Sequence, residues 1–148
     1  MWPVLGVAAI LMLTLTVQSD VVKLTESTTN QGETEAIATN LVIYGRYTAT
    51  YAIAHPNVQG PVTDAAINAP YWIVRTPFVA TYVSNGRGYA YYTGPAIPAL
   101  VGQLVQQTQM GMNVGTVVGG TLNVPQLGVS TSIPLPPQIP NGSVVVTN

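Results

Sequence analysis

The longest apolar stretch of the chain lies at its N-terminal end. Residues 2–17 contain no charged side chain, and Thr14 and Thr16 are their only polar side chains. A helix of this length rises about 24 Å, slightly less than the thickness of a bilayer hydrocarbon core. We therefore expect residues 1–19 to form a membrane anchor. The residues expected to contact the bilayer are Trp2, Leu5, Leu11, Leu13 and Val17.

A cleaved leader is the alternative for the same segment. Val17-Gln18-Ser19 places small residues where a signal peptidase cuts, before Asp20. Against cleavage, no Lys or Arg precedes the apolar run, and Trp2 is an aromatic residue typical of the interfacial end of an anchor. The rest of the chain divides into a polar connector, residues 20–32, and a folded domain, residues 33–148.

Apolar positions spaced by three and four residues predict an amphipathic helix at the start of this domain. Asn30 and Glu33 have the spacing of a capping box, and Pro56 should end the helix. Asn40 and Arg46 are expected to point away from the core. The residues of the predicted core face are Ile37, Leu41, Tyr44, Thr48, Tyr51 and His55.

Alternating β-rich runs predict a small antiparallel sheet in the second half of the chain. Asn85-Gly86 and Gly119-Gly120 are two-residue turn sequences that favour β-hairpins. The predicted strands are residues 79–83, 89–93, 114–118, 121–124 and 143–147, and residues 98–107 are a short helix between the hairpins. The predicted fold is therefore α+β: an anchor helix, an amphipathic helix, and a sheet of two hairpins plus a C-terminal strand with one short helix.

The composition excludes several classes of function. Only 9 of the 148 residues are charged, the formal net charge is −1, and there is no cysteine. Four basic side chains are too few to bind a phosphate backbone, so no nucleic acid partner is expected. His55 is the single histidine, so neither a catalytic triad nor a His/Cys metal site can be assembled. We predict no catalytic residue, no metal, no cofactor and no small-molecule substrate.

An aromatic concentration between residues 71 and 92 is the candidate for a protein contact. Tyr71 and Trp72 belong to it, and tyrosines are enriched at protein interfaces. Alternation along a strand places Tyr89 and Tyr91 on one face and Tyr92 on the other, so one face of the sheet is expected to be core and the other exposed. The residues proposed for the contact are Tyr82, Tyr89, Tyr91 and Tyr92.

An ordered set of short segments resembles a known family. The segments are Tyr51-Ala-Ile-Ala-His55-Pro56, Ala69-Pro-Tyr-Trp72, Gly88-Tyr-Ala-Tyr-Tyr-Thr-Gly94-Pro95, Ile133-Pro-Leu-Pro136 and Ile139-Pro-Asn-Gly-Ser143. Together with the apolar N-terminus, they resemble the small PilM proteins of type IVb pilus biogenesis, which are encoded with thin conjugative pili and enterobacterial type IVb pili. The resemblance implies a non-enzymatic, single-pass inner-membrane protein with a periplasmic domain. Its partners would be the membrane and other type IVb pilus assembly proteins.

Three alternatives stay open at this point. With a cleaved leader, the protein would be a soluble periplasmic protein. A pilin-like minor subunit of the fibre would also begin with an apolar helix, but Gly6 has no basic leader and Leu11 stands where a processed pilin usually has Glu. A cell-surface binding module would use the tyrosine-bearing hairpin to contact carbohydrate or a receptor.

Overall fold

The computed structural model of the 148-residue chain describes residues 29–109, 111–125 and 133–148. Residues 1–19, with the predicted anchor residues Trp2, Leu5, Leu11, Leu13 and Val17, lie outside the described residues, as do residues 20–28 of the connector. Within the described ranges, no helix is both long enough and apolar enough to cross a membrane. The described residues form an α+β fold with two helices and a seven-stranded antiparallel sheet, which confirms the predicted class.

The elements follow one another much as the sequence predicts. Helix α1 covers residues 29–54, and α2 covers Leu100–Thr108. The strands are β1 Gly60–Pro61, β2 Val79–Ser84, β3 Arg87–Tyr92, β4 Asn113–Val118, β5 Thr121–Asn123, β6 Ile133–Pro134 and β7 Val144–Thr147. One compact unit, Thr34–Asn148, contains the sheet, α2 and most of α1. The other unit is Met1–Glu33, of which residues 29–33 are described and belong to α1.

The two predicted hairpins are confirmed, and their turns have the expected geometry. Asn85 and Gly86 have φ of 51° and 75°, and Gly119 and Gly120 have φ of 59° and 74°. Positive φ at both central residues is typical of the turn that matches the twist of paired strands. Strand β7 lies between β3 and β4 and pairs with both, so that the two hairpins form one sheet in the order β1-β2-β3-β7-β4-β5-β6.

The core on one face of the sheet is formed with α1 and α2. Val83, Ala90 and Val146 are buried there together with Leu41 of α1 and Leu104 of α2. The approach of α1 is close, because an added Cβ at Gly45 would lie 3.2 Å from the Val146 side chain. Helix α1 therefore lies close to this face of the sheet at Gly45.

The predicted core face of α1 is confirmed over most of its length. Ile37, Leu41, Tyr44 and Thr48 are buried, and Tyr51 is half-buried. His55 follows the helix end and is exposed; its ring stacks on Tyr51 with 4.3 Å between ring centroids.

The second face of the sheet is also covered, so the expectation of one exposed face is wrong. Tyr82, Tyr89 and Val145 pack with Leu135 and Ile139, which come from the proline-rich segment after β6. The amide of Leu135 donates to Gly120 O, which fastens this segment to the sheet. A segment without periodic hydrophobicity thus supplies the second layer, which strand alternation alone cannot reveal.

Both edges of the sheet are unsuited to adding a further strand. The edge strands β1 and β6 have two residues each, and each contains a proline, Pro61 and Pro134. Short, proline-bearing edges are a common protection against edge-to-edge pairing. A partner of this domain is therefore expected to contact side chains rather than to extend the sheet.

Candidate functional site

Four of the seven exposed large hydrophobic side chains of the described residues lie in the loop that precedes β2. Residues 70–78, which we call the aromatic strap, expose four large apolar side chains. These are Tyr71 at 98%, Trp72 at 69%, Val74 at 79% and Phe78 at 59% of their full accessible surface. Several exposed apolar side chains in one loop are typical of interaction sites, and Trp and Tyr contribute strongly to binding energy at interfaces. The strap is the candidate functional site.

The buried amide of Asn40 fixes the middle of the strap to α1. Its Nδ2 donates to Val74 O at 2.9 Å, and its Oδ1 accepts from the Thr76 amide at 3.1 Å. One side chain thereby forms hydrogen bonds with a carbonyl and an amide of the strap backbone, the two groups that a neighbouring β-strand would bond. Asn40 is 8% exposed, which corrects the expectation that it points away from the core.

A charged cluster holds the same part of the strap from the side. Arg75 forms an ion pair with Asp64, and Asp64 also accepts a hydrogen bond from the Tyr44 hydroxyl at 3.2 Å. The Arg75 guanidinium lies 4.6 Å from the centre of the Tyr44 ring. Burial, and after it the charge of Asp64, raises the pKa of the Tyr44 phenol, while Arg75 acts in the opposite direction. This cluster joins α1, the 63–69 loop and the strap.

The C-terminal end of the strap is held at a strained residue. Phe78 has φ of 65°, a left-handed conformation that costs a side-chain-bearing residue about 1–2 kcal/mol. Its carbonyl accepts from the Thr93 amide at 3.0 Å and from the Thr93 hydroxyl at 3.3 Å. Its ring meets Tyr92 edge to face at 6.3 Å. The strap thus presents its exposed rings on a backbone that is fixed at several points.

A groove of about 360 Å³ separates the strap from the exposed side of α1. On the helix, Ile43, Arg46, Tyr47 and Thr50 form one stripe with helical spacing. Trp72 and Ile73 line the other side. The groove therefore combines apolar walls with one guanidinium group.

The four tyrosines predicted for a protein contact lie within or against the two cores. Tyr82 and Tyr89 are buried on the second face, and Tyr92 is buried on the helix face. Tyr91 is half-buried against the second core. This placement differs from the exposed hairpin surface that we expected, and the role of these residues as contacts stays a prediction. Burial raises the pKa of the Tyr89 and Tyr91 phenols.

The raised tyrosine pKa values predict that stability falls in alkaline solution. A phenol whose pKa is raised on folding contributes stability that is complete below its ordinary pKa, near 10, and is lost as pH rises through the folded value. We expect the unfolding temperature to fall above about pH 10, and Tyr44→Phe to reduce the slope. Thermal unfolding at a series of pH values measures both. Tyr71→Phe, which removes an exposed phenol, is the control; an equal slope in all three proteins would contradict the prediction.

The next feature of the described residues is the distribution of their metal-binding side chains. In these ranges, no group of three His, Cys, Asp or Glu side chains could hold a metal ion. Sequence patterns did not single out Asn40 or the strap backbone. The position of Asn40 inside a predicted helix was the available signal, because asparagine is unfavourable there unless its side chain has a specific partner.

A solved bacterial protein structure shares this architecture. The crystal structure of a protein assigned as PilM from Escherichia coli B7A superposes with a TM-score of 0.60 at 25% identity, covering 80% of this chain and 93% of that one. A protein assigned as PilM from Pseudomonas aeruginosa 2192 is 30% identical, with 77% and 92% of the two chains covered and a TM-score of 0.49. No curated protein sequence matches the chain significantly.

The chain is thus a small α+β protein of a fold shared with a solved bacterial structure. The PilM family model matches residues 8–147, nearly the whole length. The chain belongs to the PilM family, as the short segments indicated, and this membership supports a role related to pilus biogenesis.

Proposed function

We propose that this protein is a non-enzymatic component of type IVb pilus biogenesis that acts through protein contacts in the periplasm. Its partners would be other type IVb pilus assembly proteins. The observation that carries the proposal is the aromatic strap, because Tyr71, Trp72 and Phe78 are exposed on a backbone fixed by Asn40. Preorganised aromatic side chains lose little conformational entropy on binding, so they suit a specific protein interface.

The non-enzymatic character of the proposal rests on the inventory of reactive side chains. The chain has one histidine, no cysteine and five carboxylates. Asp64 is engaged by Arg75 and Tyr44, so its oxygens already have partners. General acid–base or nucleophilic catalysis needs groups within hydrogen-bond reach of a substrate, and the groove beside the strap presents an arginine, a threonine and a tyrosine as its polar groups.

The proposed location is the inner membrane, with residues 1–19 as a single-pass anchor. The uncharged run of residues 2–17 supports it, as does Trp2, a residue type common at the interfacial end of an anchor. An anchored protein would keep the strap within a limited distance of the bilayer, where the pilus assembly machinery is built.

Cell fractionation tests this location and separates it from the pilin-like alternative. Filaments sheared from cells of the encoding bacterium and purified inner membranes are blotted for the protein, and the intact mass of the recovered chain is measured. We expect a full-length chain in the membrane fraction. A shortened chain in the filaments would identify a processed fibre subunit, and a shortened soluble chain in the periplasm would show a cleaved leader; either result rejects the anchored assembly component.

A pair of exposed valines tests whether the strap is the contact surface. Val74 in the strap and Val118 at the end of β4 are 79% and 58% exposed. Val74→Ser is expected to lower the yield of surface filaments about tenfold or more, because an interface loses apolar area. Val118→Ser, the same change outside the strap, should leave the yield within about twofold of wild type.

Both variants should fold, because neither side chain belongs to a core. Circular dichroism and the amount of protein in the membrane fraction establish this. Equal filament yields from the two folded variants would contradict the assignment of the strap as the contact surface.

A further inference from the structure

The groove beside the aromatic strap has the dimensions of a side-chain pocket. Its volume of about 360 Å³ exceeds that of one large side chain, and its walls are Ile43 and Tyr47 from α1 and Trp72 and Ile73 from the strap. Concave apolar sites of this size bind a buried anchor side chain from a partner, whereas flat surfaces do not. The apolar stripe continues along α1 at Ile53, which is 67% exposed.

Arg46 gives the groove a charge that the described chain does not balance. No carboxylate of the described residues lies within 4 Å of the Arg46 guanidinium. The one ion pair among the described residues joins Arg75 to Asp64. Glu35 lies on α1 about 16 Å from Arg46 along the helix axis. Thr50, the neighbouring polar group, donates its hydroxyl proton to Arg46 O. The guanidinium is therefore a cationic donor of the groove that no carboxylate of the described residues pairs with.

We propose that this groove binds a segment of a partner protein in which a large apolar side chain lies beside a carboxylate. The apolar side chain enters between α1 and Trp72, and the carboxylate pairs with Arg46. Guanidinium groups suit this pairing because their planar geometry matches a carboxylate. This inference rests on the proposed function and specifies the chemistry of its partner.

A protein segment fits the groove better than a membrane surface does. Stable binding to an anionic bilayer uses a cluster of basic residues, and the groove has one. An open groove between a helix and a fixed strap also matches a side chain rather than a plane of headgroups. Insertion of the strap into the bilayer is the competing outcome of the experiment below.

Matched peptides test the proposal on the full chain in phosphatidylcholine nanodiscs. The probes are fluorescein-Ser-Gly-Trp-Asp-Gly-Ser-amide and two variants, with Asn in place of Asp or Ser in place of Trp, and binding is measured by fluorescence anisotropy against empty nanodiscs. We expect the Trp-Asp peptide to bind about fivefold more tightly than its Asn variant and about tenfold more tightly than its Ser variant. Raising the salt concentration should reduce the ratio of the affinities for the Asp and Asn peptides.

Substitutions in the protein identify the site. Arg46→Gln should bring the Asp-to-Asn ratio to about one, while Arg87→Gln, which removes an exposed cation at the β2–β3 turn, should preserve it. Trp72→Ser should weaken the binding of the two peptides that contain Trp. Absence of binding, equal binding of the Asp and Asn peptides by the wild-type chain, or an Arg46→Gln protein that keeps the ratio would overturn the proposal.

Two further results separate this inference from the proposed function. Quenching of Trp72 by brominated lipid, measured in a Trp2→Phe background, would place the strap in the bilayer and reject the peptide site. Normal filament yield in an Arg46→Gln strain, together with loss of filaments on deletion of the gene, would reject the groove and leave the proposed function standing. Normal filaments after deletion would instead reject the proposed function.

Discussion

Gly88→Ala is expected to destabilise the domain by about 3 kcal/mol or more. Gly88 lies on β3 directly under α1. An added Cβ would lie 2.5 Å from Ala49 N and 2.6 Å from Thr48 C. Both are backbone atoms of the helix, so no side-chain rotation can relieve the overlap, and α1 would have to move away from the sheet.

The same substitution at Gly102 provides the control. Gly102 lies in α2, is exposed, and an added Cβ would meet nothing within 4 Å. Gly102→Ala should raise the stability by about 0.5–1 kcal/mol, because alanine favours the helix. Urea unfolding followed by circular dichroism measures both variants. A Gly88→Ala protein within about 0.5 kcal/mol of wild type would show that α1 does not pack on β3 as described.

Asn40→Leu is expected to release the aromatic strap and to cost about 2–4 kcal/mol of stability. The leucine removes both the donor to Val74 O and the acceptor for the Thr76 amide. Each strap backbone group that loses its partner in a part-buried site costs about 1–3 kcal/mol. Hydrogen exchange of the Thr76 amide should accelerate by more than tenfold, and filament yield should fall with it.

Two variants control for this result. Asn40→Asp keeps an acceptor for the Thr76 amide but loses the donor to Val74 O, so its stability should lie between those of wild type and Asn40→Leu. Gln106→Leu also replaces a side-chain amide with leucine, at an exposed position of α2, and should alter stability by less than about 0.5 kcal/mol. If Asn40→Leu leaves the exchange of Thr76 unchanged, Asn40 does not hold the strap.

Local patterns predicted the elements of this fold well. The Asn85-Gly86 and Gly119-Gly120 turns specify their hairpins through positive φ, which few other residue pairs adopt at low cost. The three-and-four spacing from Ile37 to Thr48 predicted the buried face of α1. These features depend on residues close in sequence, so the sequence alone contains them.

The arrangement of the elements depends on contacts between distant residues. The C-terminal strand β7 pairs with β3 and β4, although the hairpins containing them precede it by many residues. The proline-rich segment with Leu135 and Ile139 covers the second face, which buries Tyr82 and Tyr89. No periodicity along the chain encodes either contact, and the expected exposed face was wrong for this reason.

The candidate site was missed for a related reason. Tyr71 and Trp72 belong to the aromatic concentration between residues 71 and 92, but strand alternation favoured the hairpin tyrosines as the contact residues. The strap is a loop, and its rigidity comes from Asn40, Asp64 and Tyr44, which lie elsewhere in the chain. Functional side chains often lie on loops that a scaffold positions, and their exposure becomes visible only once that scaffold is assembled.

The most direct test of the proposed function is the yield of sheared surface filaments from a strain that lacks the gene. We expect few or no filaments in this strain, restoration by the wild-type chain, and no restoration by a Trp72→Ser chain present in the membrane at the same level. Abundant filaments in the strain without the gene would contradict a role in pilus biogenesis.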